Sequence, residues 1–236
     1  MKLTKAELAW RRRQWRRALE ILRWRGLSRF FLLVVREIFR PILYWNIFYI
    51  IENDLKEDLP RLYAKRPFEV RIYAQEEDLA SIVPELSAMG ELTRDDFLSR
   101  AKSNVLGVAY AGAEAVGYSW MTCCAGSPQT WNLYPDLAWI AYPNEAILYG
   151  SFVPEPWRGQ GVHSALDVAL NQYAREHGIV RTVGRMSVLN SQTLTLAKRS
   201  GKHTTMAVAF VRVRGINRTW ATAFGAPLGS RFRRVS

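Results

Sequence analysis

Arg158-Gly159-Gln160-Gly161 stands directly ahead of the helical stretch Val162 to His177. The first backbone N–H groups of a helix lack intrahelical acceptors and the helix dipole is positive there, so such a turn is a cradle for a pyrophosphate. Glycine lets the phosphates reach the backbone where a side chain would stand, and Arg158 adds charge. No Gly-Lys-Ser/Thr follows, so this is not a Walker loop. The dinucleotide fingerprint also fails, for it needs a third Gly and an acid after the next strand. Arg158, Gly159, Gln160, Gly161, Val162 and His163 are the cradle candidates, with His163 read as structural or as a phosphate contact rather than a base.

Metal and disulfide chemistry are not suggested. His163, His177 and His203 sit at no ligand spacing from one another or from cysteine, and the two cysteines, Cys123 and Cys124, are neighbours that rarely satisfy disulfide geometry. A reducing, cytoplasmic compartment follows from that usage.

The elements that must hold the cradle form a compact α/β rhythm from Pro67 onward. Phe68 to Tyr73 alternates as a strand. Glu76 to Met89 and Thr93 to Lys102 read as helices, the second opened by Thr93 with Asp95 and Asp96 in its first turn. Val105 to Ala111 and Ala115 to Cys124 form a hairpin. Residues 125 to 144 read as a long loop, and Ala146 to Val153 is the strand that leads into the cradle. Val180 to Ser187 is a strand, Ser191 to Ser200 a short helix, and Met206 to Arg214 the last strand, followed by a basic tail over 216 to 236.

Residues 68 to 214, about three fifths of the chain, resemble a Gcn5-related N-acetyltransferase domain. The family's signature (Gln/Arg)-x-x-Gly-x-(Gly/Ala) falls on Pro156-Trp157-Arg158-Gly159-Gln160-Gly161, with Pro156 in place of the usual Gln or Arg. A second family motif, an Asn opening a short helix that closes on Lys and Gly, is met by Asn190 and Lys198-Arg199-Ser200-Gly201. The resemblance is to a bacterial member with a basic amphipathic N-terminal extension. It implies a mixed central sheet of about six to seven strands flanked by helices, preceded by N-terminal amphipathic helices. It also implies an acyl-CoA co-substrate, acetyl-CoA by default, with no metal.

The chemistry so implied is direct attack of a primary amine on the thioester. Backbone N–H groups near Phe152 and Val153 would polarise the carbonyl, and Asn190 and Ser191 would lie beside the co-substrate. Residues two apart on a strand share a face, which groups Glu145, Ile147, Tyr149, Ser151 and Val153. Some histone-modifying relatives keep a catalytic glutamate near this place, so Glu145 is the first candidate base and Tyr149 the second. The family often carries a tyrosine acid where this chain has Ala197, and an aromatic where it has Lys202. Two alternatives stay open: a long-chain transferase using fatty acyl-CoA or acyl-carrier protein on a lipidic amine (sphingoid base, amino acid or lipid-linked amino sugar), and a non-catalytic membrane-tethered CoA-binding module.

Charge is concentrated at one end. Residues 1 to 40 hold twelve Lys/Arg against three Glu, out of a net +12 for 236 residues. Lys5 to Trp24 and Leu27 to Arg40 read as basic amphipathic helices, and Ile42 to Ile51 is apolar apart from Asn46. Arg36, Glu37 and Arg40 break the only long apolar region, so no stretch is long enough to span a bilayer. The reading is a segment over 1 to 66 whose residues 1 to 51 lie on an anionic membrane, ahead of a transferase domain over 67 to 215. It places the protein on the cytoplasmic, inner face of the cell membrane. The alternative is that Ile42 to Ile51 packs on the domain. Arginines alternating with aliphatics and Trp argue against nucleic acid.

Overall fold

The computed structural model describes residues 31, 34–35, 38–39, 43–55, 67–89, 92–123, 129–134, 137–188, 190–213, 218–224 and 232–234. In chain order the strands are β1 (Leu43–Asp54), β2 (Glu69–Tyr73), β3 (Val105–Ala111), β4 (Glu114–Cys123), β5 (Gln129–Tyr134), β6 (Leu137–Ala141), β7 (Glu145–Phe152), β8 (Arg181–Ser187), β9 (His203–Val213), β10 (Arg218–Phe224) and β11 (Phe232–Arg234). The helices are α1 (Glu76–Ala88), α2 (Arg94–Ala101), α3 (Val162–Glu176) and α4 (Ser191–Arg199).

Eight strands form one mixed sheet in the order β10-β9-β1-β8-β7-β4-β3-β2, and β11-β6-β5 form a second. The pair β7 and β8 is parallel. A parallel pair needs a crossover, and α3 supplies it. Burial explains the sequence texture of the centre. Strand β4 is buried along most of its length because both faces are covered, which is why it reads as an apolar run rather than an alternation. On one face Tyr118 and Trp120 pack with Leu79, Val83 and Leu86 of α1 and Phe97 of α2. On the other, Met121 packs with Leu170 and Ala174 of α3.

Local signals hold where the sequence carried them. Thr93 caps α2, accepting from Asp96 N at 3.2 Å while Thr93 N donates to Asp96 Oδ2 at 3.0 Å. This reciprocal pair satisfies two backbone donors that a bare helix start leaves open.

Three expectations are corrected. The apolar run, described from Leu43, follows the packed alternative rather than the surface one: β1 pairs antiparallel with β8 from Phe48↔Ser187 to Asp54↔Arg181, and with β9 from Leu43↔Val213 to Glu52↔His203. Phe48, Ile50 and Ile51 are buried, so the sheet begins well before residue 67. The long loop at 125–144 contains the hairpin β5–β6, and the basic tail contributes β10 beside β9 and β11 beside β6. The partners of β1 and β11 are far off in sequence, whereas β5–β6 and β9–β10 are local hairpins.

The helix expected over 5–24 lies outside the described residues. Of the second helix, residues 31, 34, 35, 38 and 39 are helical, with Phe31, Ile38 and Phe39 exposed at 66%, 65% and 49%. Among the described residues no helix is long and apolar enough to cross a membrane.

Candidate active site

Strands β7 and β8 are paired only from Glu145↔Arg181 to Leu148↔Gly184. Beyond Leu148 they part, and the edge of β7 facing β8 has no ladder partner among the described residues. The cause sits on β7 itself. Trp120 of β4 pairs with Tyr149, but Tyr118 pairs with Phe152, so β7 carries one extra residue in a bulge. Gly150 takes φ +61° there, a left-handed conformation that a side chain would strain. The opening is a cleft of about 320 Å³, walled by Tyr149, Gly150 and Ser151 of β7 and by Arg185 to Ser187 of β8.

The glycine turn lies at the end of the same strand. After a single 3-10 turn, Glu155–Trp157, the chain runs through Arg158 to Gly161, which occupies the N-cap of α3 at φ +98°. Gly161 has no side chain to cap the helix, so the first-turn N–H groups face outward for a ligand. Two side chains brace the turn from within: Arg158 Nε donates to Val153 O at 3.1 Å, and Gln160 Nε2 donates to Pro156 O at 2.8 Å.

The floor of the cleft is polar. His163 lines it, and Nδ1 of its ring is buried without a hydrogen-bond partner. Burial lowers the His163 pKa, partly opposed by Asp167 one turn on, so the ring stays neutral near pH 7. Asp167 is ion-paired with Lys202, and both side chains are about nine-tenths buried in the cleft wall. Asn190 also lines it and caps α4, its Oδ1 accepting from Thr193 N at 3.4 Å.

No family model matches the sequence, and no curated protein matches it. Solved structures do match in shape. A Gcn5-related N-acetyltransferase from Sphaerobacter thermophilus superposes with a TM-score of 0.50 at 15% identity, over 77% of this chain and 56% of that one. An acetyltransferase of the same family from Colwellia psychrerythraea gives 0.47 at 14% identity, over 72% and 56%. AAC(6')-Iy, solved with a CoA-linked bisubstrate analogue, gives 0.44 at 16%, over 58% and 90%. The chain has the Gcn5-related N-acetyltransferase fold. It spans little more than half the length of the Sphaerobacter and Colwellia proteins.

Within that fold the expected site residues separate. Tyr149, His163 and Asn190 line the cleft, while the turn residues 158 to 161 lead into the helix that carries His163 and do not line it. Val162 is 1% exposed and Val153 packs against it, so each offers only backbone groups to a ligand. Phe152 is partly buried, its ring tilted against Tyr118 with centroids 5.7 Å apart. Ser191 begins α4, one residue past the cleft-lining Asn190.

Glu145 is not brought to the cleft. It begins β7, five residues before the bulge, with Oε2 accepting from Tyr142 N at 3.0 Å and Oε1 3.5 Å from Arg181 Nη1. Arg181 also reaches Glu52 of β1 at 3.4 Å, so the carboxylate helps lock three strands together. The shared face is broken as well. Tyr149 and Phe152, three apart, both pack toward α1 and α2, whereas Ser151 bonds Ser119 at 2.7 Å from the other side. Alternation fails where a bulge inserts a residue. Burial raises the Tyr149 pKa, eased by its hydrogen bond with Thr122 and by Arg100, which leaves a hydroxyl suited to donating a proton rather than removing one. Asp167 and Lys202 were not foreseen, although Asp167 stands one helical turn after His163.

Proposed function

We propose that the protein is an N-acyltransferase that moves an acyl group from acyl-CoA, acetyl-CoA by default, to a primary amine. The observation that carries this reading is the parting of β7 and β8 beside an uncapped, glycine-started helix. The first makes a slot for an extended thioester arm, and the second a seat for its pyrophosphate.

In the proposed reaction the phosphates lie on the first-turn N–H groups of α3. The arm passes between β7 and β8, where unpaired backbone groups of β7 hydrogen-bond it as a missing strand would. The partnerless Nδ1 of His163 is available to the arm's amides. At the bulge, backbone N–H groups polarise the thioester carbonyl. An ammonium acceptor first gives a proton to solvent. The free amine nitrogen bonds to the carbonyl carbon and releases its second proton to solvent, the C–S bond breaks, and the thiolate takes a proton from the Tyr149 hydroxyl, which regains one from solvent. This replaces the acid that Ala197 cannot supply. Thiol release measured with acetyl-CoA and long-chain acyl-CoA against amine acceptors tests the reading. Release that depends on the amine is expected, and CoA binding without turnover on any acceptor would instead favour a binding module.

A membrane-surface location is proposed on a separate observation. Phe31, Ile38 and Phe39 are helical and exposed within a stretch of net positive charge, the combination that suits an anionic bilayer surface. A long-chain acyl donor or lipidic amine would then meet the enzyme where it is dissolved.

A further inference from the structure

The cleft takes part of its lining from the N-terminal strand. Asn53 of β1 lines it together with Ile51, and Asn53 is only 6% exposed yet makes no side-chain hydrogen bond among the described residues. Register fixes the face on which it lies. Asn53 stands opposite Thr182 of β8, and residues directly opposite in an antiparallel pair share a face. Thr182 Oγ1 donates to Asn171 Oδ1 of α3 at 2.7 Å, so both side chains are on the α3 side of the sheet. Along α3, His163, Asp167 and Asn171 follow at four-residue steps and form one stripe. Asn53 therefore shares a polar chamber with His163, whose Nδ1 is also buried without a hydrogen-bond partner.

Two unpartnered polar groups on one cavity cost free energy unless a ligand or ordered water meets them. Their chemistry narrows the ligand. Asn53 offers a neutral amide that both donates and accepts, and His163 offers a ring that burial keeps neutral. Asp167 and Lys202, the charged pair beside them, satisfy one another. Arg185, the remaining charged side chain of the cleft, lies over the Phe48 ring, 5.6 Å from its centroid. A chamber lined in this way favours a neutral, amide-bearing ligand over an anion. There is room for one, since about 320 Å³ falls within the ~300–1,000 Å³ of small-ligand clefts.

Of an acyl-CoA, the pyrophosphate belongs on the glycine-started helix, whereas the pantetheine arm is uncharged and carries two secondary amides. We propose that Asn53 and His163 together bind an amide of that arm, so that the N-terminal strand supplies a binding residue for the donor and the donor is recognised through its arm as well as its phosphates. This rests on the acyltransferase reading above. The same arm is carried by CoA and by acyl-carrier protein, and the chamber reads the chemistry the two share.

Calorimetry on the full chain tests this with three probes: CoA, holo acyl-carrier protein, and ADP, which has the pyrophosphate without the arm. Wild type should bind CoA, and ADP more weakly. Asn53→Leu keeps the side-chain size while removing the amide, and it should weaken CoA about three- to ten-fold, the size of one hydrogen bond, with ADP affinity unchanged. His163→Phe should act in the same way, and His163→Gln, which retains a donor and an acceptor, should keep part of the affinity. The two residues lie on different elements, so a variant remains to be read if the other fails to fold. CoA affinity unchanged in folded Asn53→Leu and His163→Phe, or CoA and ADP weakened by the same factor, overturns the arm site while leaving the acyltransferase reading in place. Binding of holo acyl-carrier protein in preference to CoA, lost in Asn53→Leu, supports the arm site and makes the carrier its source. A wild type that binds neither CoA nor carrier protein defeats the acyltransferase reading, and the arm site with it.

Discussion

Glu145 accepts a backbone N–H and faces Arg181 at the closed end of β7, so replacing it tests architecture rather than chemistry. Glu145→Gln keeps an acceptor for Tyr142 but loses the charge. Denaturant unfolding should show a loss of about 1–2 kcal/mol, modest because Arg181 is a third exposed and partly screened, while kcat stays near wild type. A drop of ~100-fold in kcat with unchanged stability would restore it as the base. Tyr149→Phe should behave oppositely, lowering kcat by about 10- to 100-fold with little change in KM for acyl-CoA. The donor form of a phenol exists below its pKa, and burial raises that of Tyr149. The wild-type rate should therefore show no loss from this group through neutral pH, losing it only as pH rises past the ordinary phenol value of about 10. The glycine turn was legible as a helix start, and Gly161 is the N-cap of α3, but a Gly-x-Gly alone is a weak signal because many tight turns share it. The face of β7 was misread because Gly150, the one glycine inside that strand, was passed over although such a residue often marks a bulge.

Among the elements, β1 departs most from its sequence reading. An apolar run of ten with one polar residue suits a membrane surface, but it equally suits a strand inside a sheet covered on both faces, and composition does not separate the two. Its partners β8 and β9 lie more than 120 residues away, so no local signal marks the pairing. The same holds for β11, which pairs with β6 more than 90 residues earlier, whereas β10 forms a local hairpin with β9. By contrast the β3–β4 hairpin and the cap of α2 are local and were readable. Deleting residues 1–58 should therefore leave insoluble or unfolded protein. Phe48, Ile50 and Ile51 alone represent about 1.5–3 kcal/mol of burial each, comparable in sum with the ~5–15 kcal/mol stability of a whole domain. Deletion of residues 1–30 leaves β1 in place and should give a folded chain by circular dichroism. A folded, CoA-binding 59–236 fragment would refute the role of β1.

For the whole molecule, the proposal of a transferase working at a charged surface draws on the basic N-terminal stretch, on exposed Phe31, Ile38 and Phe39, and on the parted pair β7 and β8. Sedimentation with anionic vesicles should carry down the full chain at low salt and less at high salt, and the charge changes Phe31→Glu and Ile38→Glu should reduce it further. Equal recovery with neutral vesicles at both salts, unaffected by those changes, would count against charge-led binding. The central claim is that the parted strands and the glycine-started helix hold acyl-CoA. Calorimetric titration of folded wild type and Gly161→Glu with CoA tests it most directly, since the substitution puts a carboxylate and a strained φ where the pyrophosphate would sit. The expected result is saturable binding by wild type and loss of at least about ten-fold in affinity, 1.4 kcal/mol, in the variant. Equal affinity in the two proteins, or no binding by wild type, would contradict the account.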